Sequence, residues 1–328
     1  DLFQRLAKVF DQTYTRFLDL QKAEKQAKES QVELSLARIR AKVTAMSESS
    51  DLLDIVVTMR SEFVSLGHEA HYFWYMRWNE DTYEKAMTSG DGSKIGMIMT
   101  LPRHIHGNIK SVADWEKSKE PTVVLDMDVE MSMDYVQKMI TLGEFKLVDP
   151  NAPTADDMRH IGGLTFVMAR TTYGEIGFSL PGVVSNPPKE GLDTLIRFAG
   201  VFDLAYSRFE DLKNAEAQAR EAQIEVALER TRTNSMLMKH SDELDVTSRI
   251  FHEQLLLLGI DTEFSYVWLP DVEKQKHMFW ASWAVNKGNS IDFQSKSVTY
   301  DLDMTDPYNI ACFKAWEKPD IVHENRVD

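Results

Sequence analysis

The sequence predicts an α+β fold with two similar domains, each an antiparallel sheet flanked by helices, joined by a long coiled-coil helix. Three observations predict it: a duplicated segment, long runs of helix-forming residues, and short aromatic strands after each copy. Residues 10–67 match residues 202–259 at a constant offset, with 22 identities in 58 ungapped positions. Unrelated chains would match at about 3 or 4 such positions. The chain therefore repeats one structural unit head to tail.

Length, charge and cysteine content limit which kinds of protein and partner the sequence can represent. A chain of 328 residues has room for about two domains, and its net charge of −15 repels phosphate backbones, so we expect no nucleic-acid partner. The single cysteine, Cys312, excludes an intrachain disulfide and suits a reducing cytoplasm. No apolar run approaches the ~18 residues needed to cross a bilayer, so we expect no membrane contact by this segment. The chain begins at Asp1 without a methionine, and we expect it to be part of a longer protein.

Two long helices are predicted, over residues 1–47 and residues 188–240, because both stretches are rich in Ala, Glu, Arg, Gln and Leu. Apolar residues recur in each at steps of three and four, the spacing of a coiled coil. We expect a parallel homodimer through this stripe, formed by Phe3, Leu6, Phe10, Phe17, Leu20, Leu195, Phe198, Phe202, Phe209, Leu212, Ala219 and Val226. The alternative for the first half of each helix is packing on its own domain. The alanine-rich second halves favour an intermolecular pair.

Residues 48–187 are predicted to form the first domain and residues 241–328 the second, incomplete at its carboxyl end. Each opens with a short helix, over residues 49–66 and 241–258, that starts at Ser and Asp and stops at Gly67 or Gly259. Strands follow over residues 71–78, and over 263–269 with 277–283 as a hairpin. Helices are then predicted around residues 108–117 and 309–318, and strands over 122–125 and 321–322. A helix over 131–142 and a hairpin over 164–180 complete the first domain.

The order of elements and the helix sequence resemble a known class of sensor. Residues 227–233 (Ala-Leu-Glu-Arg-Thr-Arg-Thr), followed by Met236, Met238, Ser241-Asp-Glu-Leu and Leu258-Gly-Ile, are similar to the signalling-helix and GAF-like sensor repeats of multidomain two-component sensor proteins, mostly histidine kinases of the Bacteroidetes type. Residues 35–40, Met46, Ser49 and Leu52 carry the same pattern more weakly. The resemblance implies two GAF-like domains that receive and transmit a signal, with a kinase or other effector domain elsewhere in the same chain.

No motif predicts catalysis, a metal site or a cofactor. A phosphoacceptor histidine and nucleotide boxes are missing; His252 and His240 are interpreted as structural, and Cys312 as a small core residue. His104 and His106 could share one strand face, yet no third metal ligand follows at a suitable spacing. A hydrolase hypothesis would rest on Asp126, Asp128 and Glu130 alone, and the second copy lacks that acidic run.

Aromatic and methionine residues alternate along the predicted strands and could line an adaptable, largely apolar pocket. The pocket residues predicted on this basis are Tyr72, Trp74, Met76, Met97, Met99, Phe166 and Met168 in the first domain, and Phe264, Tyr266, Trp268 and Trp280 in the second. The alternative is that these side chains are simply core.

Two functions remain at this stage. The first is a non-catalytic sensory and signal-transmitting segment in which dimerised helices pass a change in domain packing to an effector. The second is a constitutive dimerisation spacer whose degenerate domains bind no ligand. An enclosed cavity on a sheet face would favour the first function, and solid side chains there would favour the second.

Overall fold

A computed structural model describes residues 2–271, 273–287, 290–301, 303 and 305–316. The chain divides into two compact units, unit 1 up to Ala215 and unit 2 from Glu216 onward. The predicted strand over residues 321–322 and the side chain of Cys312 lie outside the described part.

Unit 1 contains a seven-stranded sheet between two layers of helices. Its helices are α1 (Leu2–Thr44), α2 (Asp51–Ser65), α3 (His104–Gly107), α4 (Lys110–Lys117), α5 (Val129–Leu142), α6 (Asp157–Ile161) and the first part of α7 (Lys189–Leu237). Its strands are β1 (Phe73–Trp78), β2 (Thr82–Thr88), β3 (Ile95–Pro102), β4 (Thr122–Met127), β5 (Glu144–Leu147), β6 (Leu164–Thr171) and β7 (Gly174–Pro181).

The sheet of unit 1 is antiparallel throughout, in the order β4-β6-β7-β1-β2-β3-β5. The predicted hairpin over 164–180 is confirmed as β6 and β7, and the predicted strands at 71–78 and 122–125 as β1 and β4. The β2–β3 hairpin and β5 were not predicted. His104 and His106 lie on α3 rather than on a strand, so the prediction that they share a strand face is wrong.

Each strand alternates its side chains between two buried faces. The α7 face carries Phe73, Val167, Ile176 and Phe178 and packs against α2, the end of α1 and the start of α7. The α5 face carries Trp74, Met76, Tyr83, Met99 and Met168 and packs against α3, α4 and α5. Because both faces are covered, the sheet strands are largely apolar on both sides, with a few buried polar residues on each, such as Thr165 on the α7 face and Lys85 on the α5 face.

The first half of α7 belongs to the core of unit 1. Leu195, Phe198 and Phe202 are buried there, with Phe209 and Leu212 partly buried against the same cluster. The rings of Phe63 and Phe198 lie 5.9 Å apart, and those of Tyr75 and Phe202 lie 5.3 Å apart. The prediction that these buried residues form a dimer seam is therefore wrong for this half of the helix, and the alternative, packing on its own domain, describes it.

The first half of α1 has the opposite character. Phe3, Leu6, Phe10, Phe17 and Leu20 are all exposed, and so remain available for association. Farther along, Leu36, Ile39 and Val43 are buried against α2. The middle of α1 is joined to α7 by ion pairs, of Arg197 with Glu29 at 3.0 Å and with Glu33, and of Lys28 with Glu190 at 3.3 Å.

Unit 2 contains the rest of α7, a single 3-10 turn over Ser241–Glu243, helix α8 (Leu244–Leu257), strands β8 (Phe264–Asp271), β9 (Lys276–Asn286) and β10 (Ile291–Asp301), and α9 (Pro307–Trp316). The sheet order is β10-β9-β8, which confirms the predicted hairpin and adds β10. Polar bonds fix α8 on this sheet: the Ser248 hydroxyl lies 3.1 Å from the carbonyl oxygen of Trp280 and 2.8 Å from the Ser282 hydroxyl.

Unit 2 contains the two histidines interpreted as structural and the last two residues of the predicted dimer stripe. His252 is buried on α8, its Nδ1 lies 3.1 Å from the Ser265 hydroxyl, and burial lowers its pKa, as expected of a structural histidine. His240 is exposed. Ala219 and Val226 lie on the α7 surface beside Leu257 and Leu258 at the end of α8, and the Val226 side chain is largely exposed.

Within residues 2–271, 273–287, 290–301 and 305–316, no helix combines the length and the apolar character that crossing a bilayer requires.

Candidate ligand-binding cavity of unit 1

A cavity of about 340 Å³ lies on the α5 face of the unit 1 sheet. Its floor is formed by strands β2, β3, β6 and β7, and its cover by α5, β5, α6 and the loop over residues 148–154. Most of the lining is apolar, including Met87, Met97, Tyr135, Val136, Met139, Phe145, Met158, Leu164 and Phe166. Small-molecule sites commonly have volumes of about 300–1,000 Å³ and apolar walls with a few polar groups. The cavity therefore has the size and lining of a ligand site.

The cavity opens to solvent at its cover. Ile140 near the end of α5 and Val148 after β5 line it and are about half exposed. An apolar side chain at a pocket mouth shields the interior from water while leaving a route for a small molecule.

The structure brings three of the seven pocket residues predicted for the first domain to the cavity: Tyr72, Met97 and Phe166. Trp74, Met76, Met99 and Met168 share the α5 face, but they are buried in packed core rather than lining the cavity. Strand alternation correctly placed the residues on one face, and it cannot show which of them border empty space.

In the described part of unit 2, the four predicted pocket residues differ in exposure. Phe264 and Tyr266 are 57% and 43% exposed, Trp268 is partly buried and Trp280 is buried. The rings of Phe264 and Tyr266 stack on each other at 6.3 Å at the open surface of β8. Unit 1 is therefore the better candidate for a ligand site.

The sequence predicted α5, but it did not predict the rest of the cover of the cavity or one charged residue in its floor. Phe145 and Met158 come from β5 and α6, two short elements of only 4 and 5 residues. Lys85 lies in β2, where Tyr83, Lys85 and Met87 alternate onto the α5 face. The Gly90-Asp91-Gly92 turn, which joins β2 to β3, was the signal that could have identified this hairpin.

Lys85 is 2% exposed and lines the cavity. Its Nζ lies 4.1 Å from the centre of the Trp74 ring and 5.2 Å from that of Phe166, so two aromatic faces stabilise its positive charge. No hydrogen bond or ion pair to the Lys85 ammonium occurs in the described part of the chain. Burial lowers the pKa of Lys85, and the nearby Glu175 carboxylate opposes that shift.

Glu175 on β7 is the nearest carboxylate in electrostatic terms. It is 1% exposed, its Oε1 accepts a hydrogen bond from Trp74 Nε1 at 3.1 Å, and its Oε2 has no partner among the described residues. Burial raises the pKa of Glu175, while the Trp74 bond and Lys85 lower it. The two charged groups are close enough to influence each other without forming an ion pair.

A second polar pair closes the cavity on the α5 side. Tyr135 lines the cavity, and its hydroxyl lies 2.8 Å from His106 Nε2. Burial lowers the pKa of His106 to about 3 and raises that of Tyr135, so both are neutral near pH 7. This pair links α5 to α3 and adds no charge to the cavity.

The three carboxylates of the hydrolase hypothesis do not line the cavity. The carboxylates that a hydrolase hypothesis would need have other roles: Asp128 caps α5 by accepting from Met131 N at 2.8 Å, and Asp126 accepts from the Ser185 hydroxyl. Glu130 is exposed. Among the residues that the structure describes, no three His, Cys, Asp or Glu side chains group as metal ligands.

Comparisons with known proteins were also made. No family model matches the sequence, and no curated protein matches it. Among solved structures, the chain is similar to the bacteriophytochrome RpBphP3 from the photosynthetic bacterium R. palustris, with a TM-score of 0.39 and 9% sequence identity over 88% of this chain and 73% of that one. A likeness this weak carries no argument about function.

Proposed function

We propose that this chain is the sensory and signal-transmitting segment of a two-component sensor protein, and that unit 1 is a GAF-like domain that binds a small, largely apolar molecule. The observation that carries the proposal is the cavity of about 340 Å³ on the α5 face, lined by methionine, aromatic and aliphatic side chains. A polar minority, Lys85 above all, would orient the ligand.

Transmission would pass through the sheet to α7. The face opposite the cavity holds the first half of α7 through Phe198 and Phe202 in the core. Two polar contacts add to it: Arg77 Nη1 on β1 lies 3.2 Å from Glu210 Oε1, and Thr172 N donates to Asp203 Oδ1 at 2.7 Å. A ligand that shifts β1 or β6 would thus bias the packing of a helix of 49 residues, about 74 Å long.

The proposed partners are a second copy of the chain and an effector domain. A parallel homodimer would form through the exposed stripe of α1 and the exposed part of α7 near Ala219 and Val226. The effector, a histidine kinase or another output domain, would lie elsewhere in the same cytoplasmic protein, and this segment would itself be non-catalytic. The alternative, a constitutive spacer without ligand, is the function that solid packing on the α5 face would have favoured.

A thermal-unfolding screen of uncharged and singly charged apolar metabolites tests the binding function. A ligand that binds only the folded state stabilises it by about 2.7 kcal/mol at a hundredfold excess over its Kd. Met139→Trp should fill the cavity and abolish the shift, whereas Gln137→Trp, on the exposed side of the same helix, should retain it. Equal shifts in both variants, or none in the native protein with any compound, would contradict the proposal.

A further inference from the structure

We propose that the ligand of the unit 1 cavity is an apolar monocarboxylate whose carboxylate group pairs with the Lys85 ammonium. This inference rests on the proposed function and adds the chemical class of the ligand. It follows from the position of Lys85, from the charges around it and from the size of the cavity.

A buried ammonium without a hydrogen-bond acceptor is unfavourable, because burial removes the water that would solvate it. Lys85 has only the faces of Trp74 and Phe166 in place of that water. Ring faces attract a cation but accept no conventional hydrogen bond, so all three N–H groups of the ammonium stay available. Lys85 is itself one of the residues that line the cavity, so a ligand there lies beside this side chain.

Glu175 does not fill this role. One of its oxygens is engaged by Trp74 Nε1, and neither oxygen forms an ion pair with Lys85. Glu175 therefore acts on Lys85 as a nearby charge without a direct bond. A carboxylate inside the cavity could approach Lys85 directly, at the ~2.8 Å of a charge-assisted hydrogen bond.

The charges around Lys85 leave room for one anion. Arg103 pairs with Glu116 at 2.8 Å, and Arg170 is influenced by both Glu116 and Glu175. With Lys85 charged, this group has three cations and two carboxylates, so its net charge is +1 when Glu175 is ionised and higher when Glu175 is protonated. One ligand carboxylate would reduce that positive charge. Asp149, the carboxylate that lines the cavity, accepts from Asn151 N at 2.9 Å and acts on Tyr72.

The rest of the cavity sets the size and polarity of the ligand. At about 30 Å³ for each water-sized group, a volume of about 340 Å³ accommodates roughly a dozen non-hydrogen atoms. Away from Lys85 the walls are Met87, Met97, Met139, Phe145 and Leu164, which favour an alkyl chain or an aryl group. A medium-chain alkanoate and an arylalkanoate share this chemistry.

The test compares three probes that differ only at the head group: decanoate, 1-decanol and decylamine, each kept below its micelle concentration. Calorimetric titration of the whole 328-residue chain should show decanoate binding at least tenfold more tightly than decanol, with no binding of decylamine. Lys85→Met should remove the preference for decanoate while keeping decanol binding, and Lys119→Met, an exposed lysine outside the cavity, should change nothing.

The outcomes are distinct. If decanol binds as tightly as decanoate, or decylamine binds best, the anchor is not Lys85 and this inference fails while the sensory function stands. If no probe binds and the wider screen is also empty, both proposals fail. If Lys85→Met does not fold, the native protein and the conservative variant Lys85→Arg still test the anchor. Both should then bind decanoate more tightly than decanol, because both keep a cation at this position.

Discussion

Two helices that carry the same repeated segment have opposite environments in this molecule. Phe10 of α1 is 68% exposed, and its counterpart Phe202 of α7 is 2% exposed. Tyr14 and Tyr206, another identical pair, are 53% and 2% exposed. What differs is the neighbour: the start of α7 lies on the sheet of unit 1, where Tyr75 and Tyr173 contact Tyr206 with ring centres 6.3 Å and 4.7 Å away. In the described part of the chain, no sheet covers the start of α1.

The comparison shows that the stripe of the repeat is a binding surface whose partner the helix sequence does not specify. In α7 the partner is the α7 face of unit 1, and this contact is what could carry a signal out of the sensor. In α1 the same stripe is free, and a second copy of the chain is the partner that we propose for it. Matched substitutions at equivalent positions can separate the two roles.

The largest effect is expected at the identical phenylalanines. Phe202→Asp should lower the free energy of unfolding of unit 1 by about 3–5 kcal/mol or more, because it removes a buried ring and buries a charge without a partner. Phe10→Asp should change it by less than about 0.5 kcal/mol, as exposed substitutions do. Urea titration of both variants measures the pair. Equal losses of unfolding free energy in the two variants would show that Phe10 and Phe202 do not differ in environment.

The second-largest effect is expected on dimer formation through α1. Phe10→Asp should weaken a parallel dimer by several kcal/mol, since two apolar rings leave the contact and two charges enter it. Sedimentation equilibrium at micromolar concentration should show a native dimer and a monomeric variant. An exposed polar change on α1, Gln12→Asp, controls for added charge. A native protein that is already a monomer would show that the stripe of α1 has another partner.

Acid should loosen unit 1 through its buried histidines. His106 has a pKa of about 3 in the folded state, and burial also lowers the pKa of His68, whose Nε2 lies 3.1 Å from the Thr194 hydroxyl of α7. Since the unfolded chain takes up protons near pH 6.5 and the folded chain does not, the stability is intact above that pH and falls as the pH is lowered toward the folded value.

For His106 alone this loss is about 2 kcal/mol between pH 7 and pH 5. Unfolding curves of the native protein and of His106→Gln at both pH values measure it, with the exposed His160→Gln as control. The variant should lose less stability than the native protein over this range. If the native protein and His106→Gln lose the same stability between pH 7 and pH 5, His106 is not neutral and buried in the folded protein.

A smaller effect is expected at a pair of identical aspartates. Asp203 accepts from Thr172 N at 2.7 Å and so holds α7 to the β6–β7 turn, whereas its counterpart Asp11 on α1 is exposed. Asp203→Asn should cost about 1 kcal/mol of unit 1 stability because the bond loses its charge, and Asp11→Asn should cost nothing measurable. A loss of equal size in both would mean that the charge acts on the helix itself rather than on the turn.

The sequence predicted the long helices, because runs of strong helix formers without proline leave few alternatives. It also predicted β1, β4, β6–β7 and β8–β9, whose aromatic or β-branched residues are bounded by turns. It could not predict which copy of the stripe is buried, since the pattern is the same in both. Phe198 and Phe202 were assigned to a dimer for that reason.

The candidate site was predicted in part, and for a similar reason. Alternation identified the α5 face and three lining residues, Tyr72, Met97 and Phe166. Lys85 was missed because strand β2, which carries it, was not predicted. Two elements of the cover, β5 and α6, were missed because they are too short to give a periodic signal.

The central claim is that occupancy of the cavity on one face of the sheet changes the packing of α7 on the other. Hydrogen exchange of the 328-residue chain, measured by mass spectrometry with and without saturating decanoate, tests it most directly. We predict slower exchange at the cavity lining, a changed rate in α7 at residues 192–212, and no change in α1 at residues 3–16. Protection confined to the cavity lining, with α7 unchanged while decanoate is bound, would contradict the claim.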